Sequence, residues 1–117
     1  RVRKDLWGYA SDEQLDNSAL IAEQYRGIRP APGYPACPDH TVKADMFALM
    51  QCQEIGMQLT ESFAMHPAAS VSGFYFAHRD AKYFSVDKIG QDQLADMAKR
   101  RAVSEQLLAQ WLAPNLS

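Results

Sequence analysis

Apolar residues recur along this chain first at helical spacing, then at every second position, then at helical spacing again. Val2 and Leu6 stand four apart among charges, which predicts the end of an amphipathic helix over 1–7 with Gly8 as its stop. Residues 9–16 are polar and predict a loop. Asn17 or Asp16 can cap a helix over about 18–25, with Leu20, Ile21 and Tyr25 as a narrow apolar stripe and Gly27 at its end. Thr41 can cap another over about 42–55, where Met46, Phe47, Leu49, Met50 and Ile55 are expected to fill a core before Gly56 ends the helix.

From Met57 the period becomes two. Met57, Leu59, Glu61, Phe63 and Met65 fall on one face of a predicted strand over 57–65. Glu61 on an apolar face calls for an ion pair, an edge position or a site role, because an unpaired buried carboxylate is costly. After Pro67, residues 70–78 predict a second strand with bulky side chains on both faces, and Gly73 among them predicts a bulge or a close backbone approach. A polar turn over 79–82 leads to a short third strand over 83–86, so that the last two form an antiparallel hairpin. A helix over about 92–101 carries Leu94 and Met97. Ser104 caps a final one with Leu107, Leu108, Trp111 and Leu112 inside, stopped by Pro114. The expected class is α+β: a small antiparallel sheet from about 57–65, 70–78 and 83–86, surrounded by helices.

One stretch obeys neither period. Pro30, Pro32, Pro35 and Pro38, four of the chain's six prolines, fall within the strap Arg29–His40. Proline fixes φ, donates no backbone hydrogen bond and pushes the residue before it out of helix. Arg29, Ala31, Tyr34 and Cys37 are therefore expected in extended or turn conformations on a backbone with little entropy to lose. On composition alone a rigid connector explains such a segment; a guanidinium and a phenol fixed on it also describe a ligand cradle.

With 117 residues the chain is read as one domain, 1–117, and a net charge of −2 argues against nucleic acid as a partner. No apolar run reaches the length of a membrane span. Two cysteines make no disulfide framework and suit a reduced, cytoplasmic protein. Cys37 and His40 have ligand-like spacing, but no second local pair joins them, so no metal is assigned. Nor does any group orient His40 as a base for Cys37, and no catalytic residue is assigned. Arg29 can grip a carboxylate with two parallel hydrogen bonds. Carbonyls of the strap are left free to accept, and Phe74, Phe76, Tyr83 and Phe84 offer faces for a planar base or a cationic centre. Together these describe S-adenosylmethionine, alongside other amino-acid-like or nucleoside ligands.

The run Arg26–His40 closely resembles the C-terminal activation domain of cobalamin-dependent methionine synthase, as do residues 59–65, 69–76 and 111–116 and the opening Val2-Arg3-Lys4 with Trp7-Gly8-Tyr9. In that family the domain binds S-adenosylmethionine and presents its methyl group when oxidised cob(II)alamin is reductively methylated back to methylcobalamin. The resemblance implies that Arg29 holds the methionyl carboxylate, Ala31 gives main-chain contacts and Tyr34 lies beside the sulfonium. It matches Tyr83 and Phe84 to the pair that contacts the rest of the ligand, with Phe84 where the family can have Tyr, and makes Glu23, on the helix before the strap, a further candidate. It implies as partners the cobalamin-binding module of the same enzyme, a 5-methyltetrahydrofolate–homocysteine methyltransferase, and a flavodoxin-like or flavoprotein reductase. The chain begins at Arg1 without Met and is expected to be the C-terminal part of that domain, inactive alone, with apolar surface open to self-association. The rival expectation is a stand-alone binding or interaction module that keeps the scaffold without the chemistry.

Overall fold

The computed structural model of the chain describes residues 1–116 and divides into two compact units, residues 1–29 with 74–83, and residues 30–73 with 84 onwards.

The first unit is built on a charged hub rather than an apolar core. A π-helical turn spans Val2–Leu6, with Trp7 N–H donating to the Val2 carbonyl. A π turn bonds residues five apart rather than four, and none of its residues is buried: Leu6 is 70% exposed, so the predicted apolar face is not packed. Gly8 ends the turn at φ +77°. Helix α1 covers only Asn17–Ile21, capped by Asp16, whose Oδ1 accepts from Ala19 N–H at 2.8 Å. The predicted continuation to residue 25 fails because Glu23 turns left-handed (φ +58°), which releases Tyr25 into the interior of the unit while Ile21 stays exposed. Arg3 forms the hub: its Nη2 pairs with both Glu13 oxygens, at 2.7 and 2.9 Å, and donates to the Arg26 carbonyl at 3.2 Å. Ile28 and Phe76 close the unit by exchanging both backbone hydrogen bonds at 3.0 Å.

In the second unit, α2 (Val42–Leu49) stops earlier than its pattern suggests, because Gln51 turns left-handed at φ +52° and a 3₁₀ turn follows over Cys52–Ile55. Thr41 does not cap α2: its own backbone is helical, and its N–H and hydroxyl both donate to Asp39 Oδ1, at 2.8 and 2.6 Å. The expected methionine-rich core face is also corrected. Phe47 is buried, but Leu49, Met50 and Ile55 are 84%, 69% and 76% exposed.

The sheet is antiparallel, as expected, but smaller and differently wired. β1 (Gln58–Leu59) pairs with β2 (Met65–His66) in the register Gln58 to His66 and Leu59 to Met65. The single strand predicted over 57–65 is thus a hairpin. Thr60 reverses the chain: its N–H donates to the Ala64 carbonyl, its hydroxyl accepts from Ala64 N–H, and Phe63 sits at φ +62°. Glu61 leaves the apolar face and lies exposed on the turn.

Residues 70–78 and 83–86 form no strands and no hairpin with each other. Phe76 pairs with Ile28 instead, and the ladder cannot extend beyond Ile28 into the strap, since Pro30 and Pro32 carry no N–H. Gly73 does make the expected close approach: a Cβ there would stand 3.0 Å from the Pro30 carbonyl oxygen.

The apolar core lies between α3 (Gln91–Arg101) and α4 (Glu105–Trp111), where Ile89, Leu94, Ala98, Leu108 and Leu112 are buried. Each fully buried leucine contributes about 2 kcal/mol. Helix α3 starts where Gly90 N–H donates to Gln93 Oε1 at 2.9 Å, and Ser104 caps α4 by accepting from Leu107 N–H at 3.1 Å. Asn115 Nδ2 donates to the carbonyls of Val86 and Asp87, fixing the chain end against residues 86–89. Among the described residues no helix is long and apolar enough to cross a membrane.

Candidate functional site

The strap is held by turns of its own and by one anchor. Within the second unit Tyr34 N–H donates to the Ala31 carbonyl at 3.3 Å, Cys37 N–H to Tyr34 at 2.8 Å and Gly33 N–H to Cys37 at 2.7 Å. Gly33 is required: at φ +94° it stands against the His40 imidazole, where any Cβ would collide with the ring. Lys43, 94% buried by its 6% exposure, donates from Nζ to His40 Nδ1 at 3.0 Å and to the Phe63 carbonyl at 2.9 Å. Asp39 accepts from Thr41 and pairs with Arg101, whose guanidinium also stacks on Trp111 at 5.2 Å. Phe63 meets the same indole edge-on. The prolines restrict the backbone, and this polar anchor fixes where the strap ends.

The start of the strap is fixed within the first unit. Arg29 N–H donates to the Tyr83 hydroxyl at 2.7 Å, and that hydroxyl is 2.8 Å from the Tyr25 hydroxyl. The Arg29 guanidinium lies over the Tyr25 ring at 5.0 Å from its centroid. The side chain is exposed, and among the described residues no ion pair reaches it. Burial first, and the Tyr83 hydroxyl second, push the Tyr25 phenol above its ordinary value, so it stays a neutral hydrogen-bonding group.

The candidates drawn from sequence therefore fall into two sets. Arg29 and Tyr83 meet directly in the first unit, and Ala31 and Tyr34 share one turn in the second. Tyr34 and Phe84 are each 68% exposed, with their rings open to a ligand. Glu23 is not on a helix: it lies beyond α1 in the left-handed conformation that ends it, exposed, and its carboxylate makes no hydrogen bond among the described residues. Phe74 and Phe76 stack on one another, centroids 5.9 Å apart. Tyr25 is the residue that sequence reading passed over, since it sat in an apolar helical stripe; its place four residues before Arg29 was the available signal. The Cys37 thiol is raised above its usual range by burial and then by Asp39, which disfavours a thiolate nucleophile. Among the described residues no three potential metal ligands gather.

Comparison with known proteins agrees with this arrangement of strap and helices. Residues 1–102 match the family model for the vitamin B12 dependent methionine synthase activation domain. The crystal structure of the MetH reactivation domain bound to AdoHcy superposes with a TM-score of 0.94 at 57% sequence identity, over 100% of this chain and 36% of that one. The chain thus spans about a third of the length of that relative, and its fold matches that part of the reactivation domain. This chain belongs to the family of vitamin B12-dependent methionine synthase activation domains.

Proposed function

We propose that this chain is the S-adenosylmethionine-binding part of a reactivation domain, serving a methyltransferase that makes methionine on cobalamin held by another module of the same protein. The observation that carries the reading is the end-to-end likeness to a reactivation domain bound to AdoHcy, a ligand with the same carboxylate and nucleoside. The residues present fit such a ligand. Arg29 offers an exposed guanidinium whose backbone is tied to Tyr83 and which no carboxylate of the described residues neutralises. A guanidinium in that state suits a carboxylate, gripped by two parallel hydrogen bonds. Tyr34 offers an exposed phenol on a proline-stiffened turn, and its role in this reading is to face the sulfonium end. Ala31 contributes main-chain contacts, and the rings of Tyr83 and Phe84 the remaining contact surface. Glu23 is the outlying member of the set. When bound, S-adenosylmethionine supplies the methyl group that returns inactive cobalamin to service.

The chain's residues hold and orient that donor; no catalytic group is assigned among them, and the fragment by itself is not expected to turn over. The cobalamin-binding module and a flavodoxin-like or flavoprotein reductase are the partners this role requires, and a reducing cytoplasm suits two free cysteines. Calorimetric titration of S-adenosylmethionine into the full-length protein tests the reading. Arg29→Ala is expected to weaken binding by about 30- to 150-fold, the loss of one bidentate charged contact worth about 2–3 kcal/mol. Unchanged affinity in that variant would remove Arg29 from the site.

A further inference from the structure

Tyr25 is 9% exposed, and a buried phenol needs only one hydrogen-bond partner to be accounted for as core. It has more than that. Its hydroxyl meets Tyr83, whose oxygen also accepts from Arg29 N–H, and its ring carries two guanidiniums, Arg3 at 5.2 Å and Arg29 at 5.0 Å. The two cations differ in one respect. Arg3 is neutralised by Glu13, whereas among the described residues no carboxylate pairs with Arg29. An aromatic face attracts a guanidinium without occupying its N–H donors. A ring and a hydroxyl link from one side chain thus restrain both ends of Arg29, its head group and its backbone, while among the described residues no carboxylate takes up its charge.

We propose that Tyr25 is a positioning residue for the ligand carboxylate, setting the direction of the Arg29 guanidinium through its ring and through Tyr83. The proposal rests on the reading above that Arg29 meets a carboxylate. It predicts selectivity: Tyr25 acts only through Arg29, so its loss penalises ligands that carry the carboxylate and spares those that lack it.

The test titrates the full-length protein with S-adenosylmethionine and with its decarboxylated analogue. Wild type is expected to prefer the carboxylate ligand; equal affinities there would overturn the assignment of Arg29, and this proposal with it. Given that preference, Tyr25→Leu is expected to weaken S-adenosylmethionine about fivefold, the scale of one cation–π contact, and to leave the analogue unchanged. Tyr25→Phe keeps the ring and is expected to restore most of that loss. Tyr83→Phe removes the acceptor of Arg29 N–H without cutting into the Tyr25 ring, and is expected to produce the same selective loss. Equal weakening of both ligands in the Tyr25→Leu and Tyr83→Phe variants, or no weakening in either, would overturn the positioning role.

Discussion

Gly33→Ala is the sharpest probe of how the strap keeps its shape. The native φ of +94° costs an L-residue about 1–2 kcal/mol before any contact is considered. The new methyl would also overlap the His40 ring, which must swing out and give up its hydrogen bond to Lys43 Nζ. That leaves a buried ammonium with the Phe63 carbonyl as its remaining acceptor, a further cost of about 1 kcal/mol. Together the substitution is expected to destabilise the fold by about 2–3 kcal/mol, measured by urea unfolding from the midpoint shift at constant slope. The His40→Ala background separates the two contributions: there the collision is absent, and Gly33→Ala should cost only the backbone part, about 1–2 kcal/mol. A loss below about 0.5 kcal/mol in the wild-type background would refute the backbone argument. An equal cost in both backgrounds would refute the role of His40.

Three further outcomes follow from the same structure. Asp39→Asn weakens the Arg101 ion pair that ends the strap, and in this partly buried setting should cost about 1–3 kcal/mol in chemical denaturation. Leu108→Ala empties the most buried position between α3 and α4 and should cost about 2–5 kcal/mol by the same measurement. Burial opposes the charge on Glu13, but the Arg26 N–H and the Arg3 guanidinium outweigh it and hold the carboxyl below its ordinary value. Its contribution is therefore complete above the unfolded value near about pH 4.3 and is lost as pH falls toward the lower folded value. Glu13→Gln should flatten that acid limb of a pH–stability curve, and an unchanged limb would show that the hub around Arg3 does not carry it.

Some features were legible in the sequence because they depend on residues close along the chain. The helices α3 and α4, the Ser104 cap and the stiff strap all follow from local spacing, hydroxyl capping and the missing N–H of proline. Arg29 and Tyr34 likewise stood out through their residue types on a fixed backbone. Other features were decided by which distant groups meet. The alternation over 57–65 is real, in that Met57, Leu59, Phe63 and Met65 are all half-buried, yet the same pattern is produced by a hairpin folded at Thr60–Ala64 as by one continuous strand. Phe76 pairs with Ile28, forty-eight positions away by numbering, and no local pattern marks that partner.

The fate of Tyr25 was hidden for the same reason. Left-handed turns at Glu23 and Gly27 take it out of its expected helix, and only then does it meet Tyr83 and carry Arg29. The sequence by itself determined that a proline-held strap would present an arginine and a tyrosine, because φ restriction and the loss of donors act within a few residues. Tertiary structure alone decided what holds that arginine and that it stays unpaired among the described residues, because a cation's partners are set by distance in space and not along the chain.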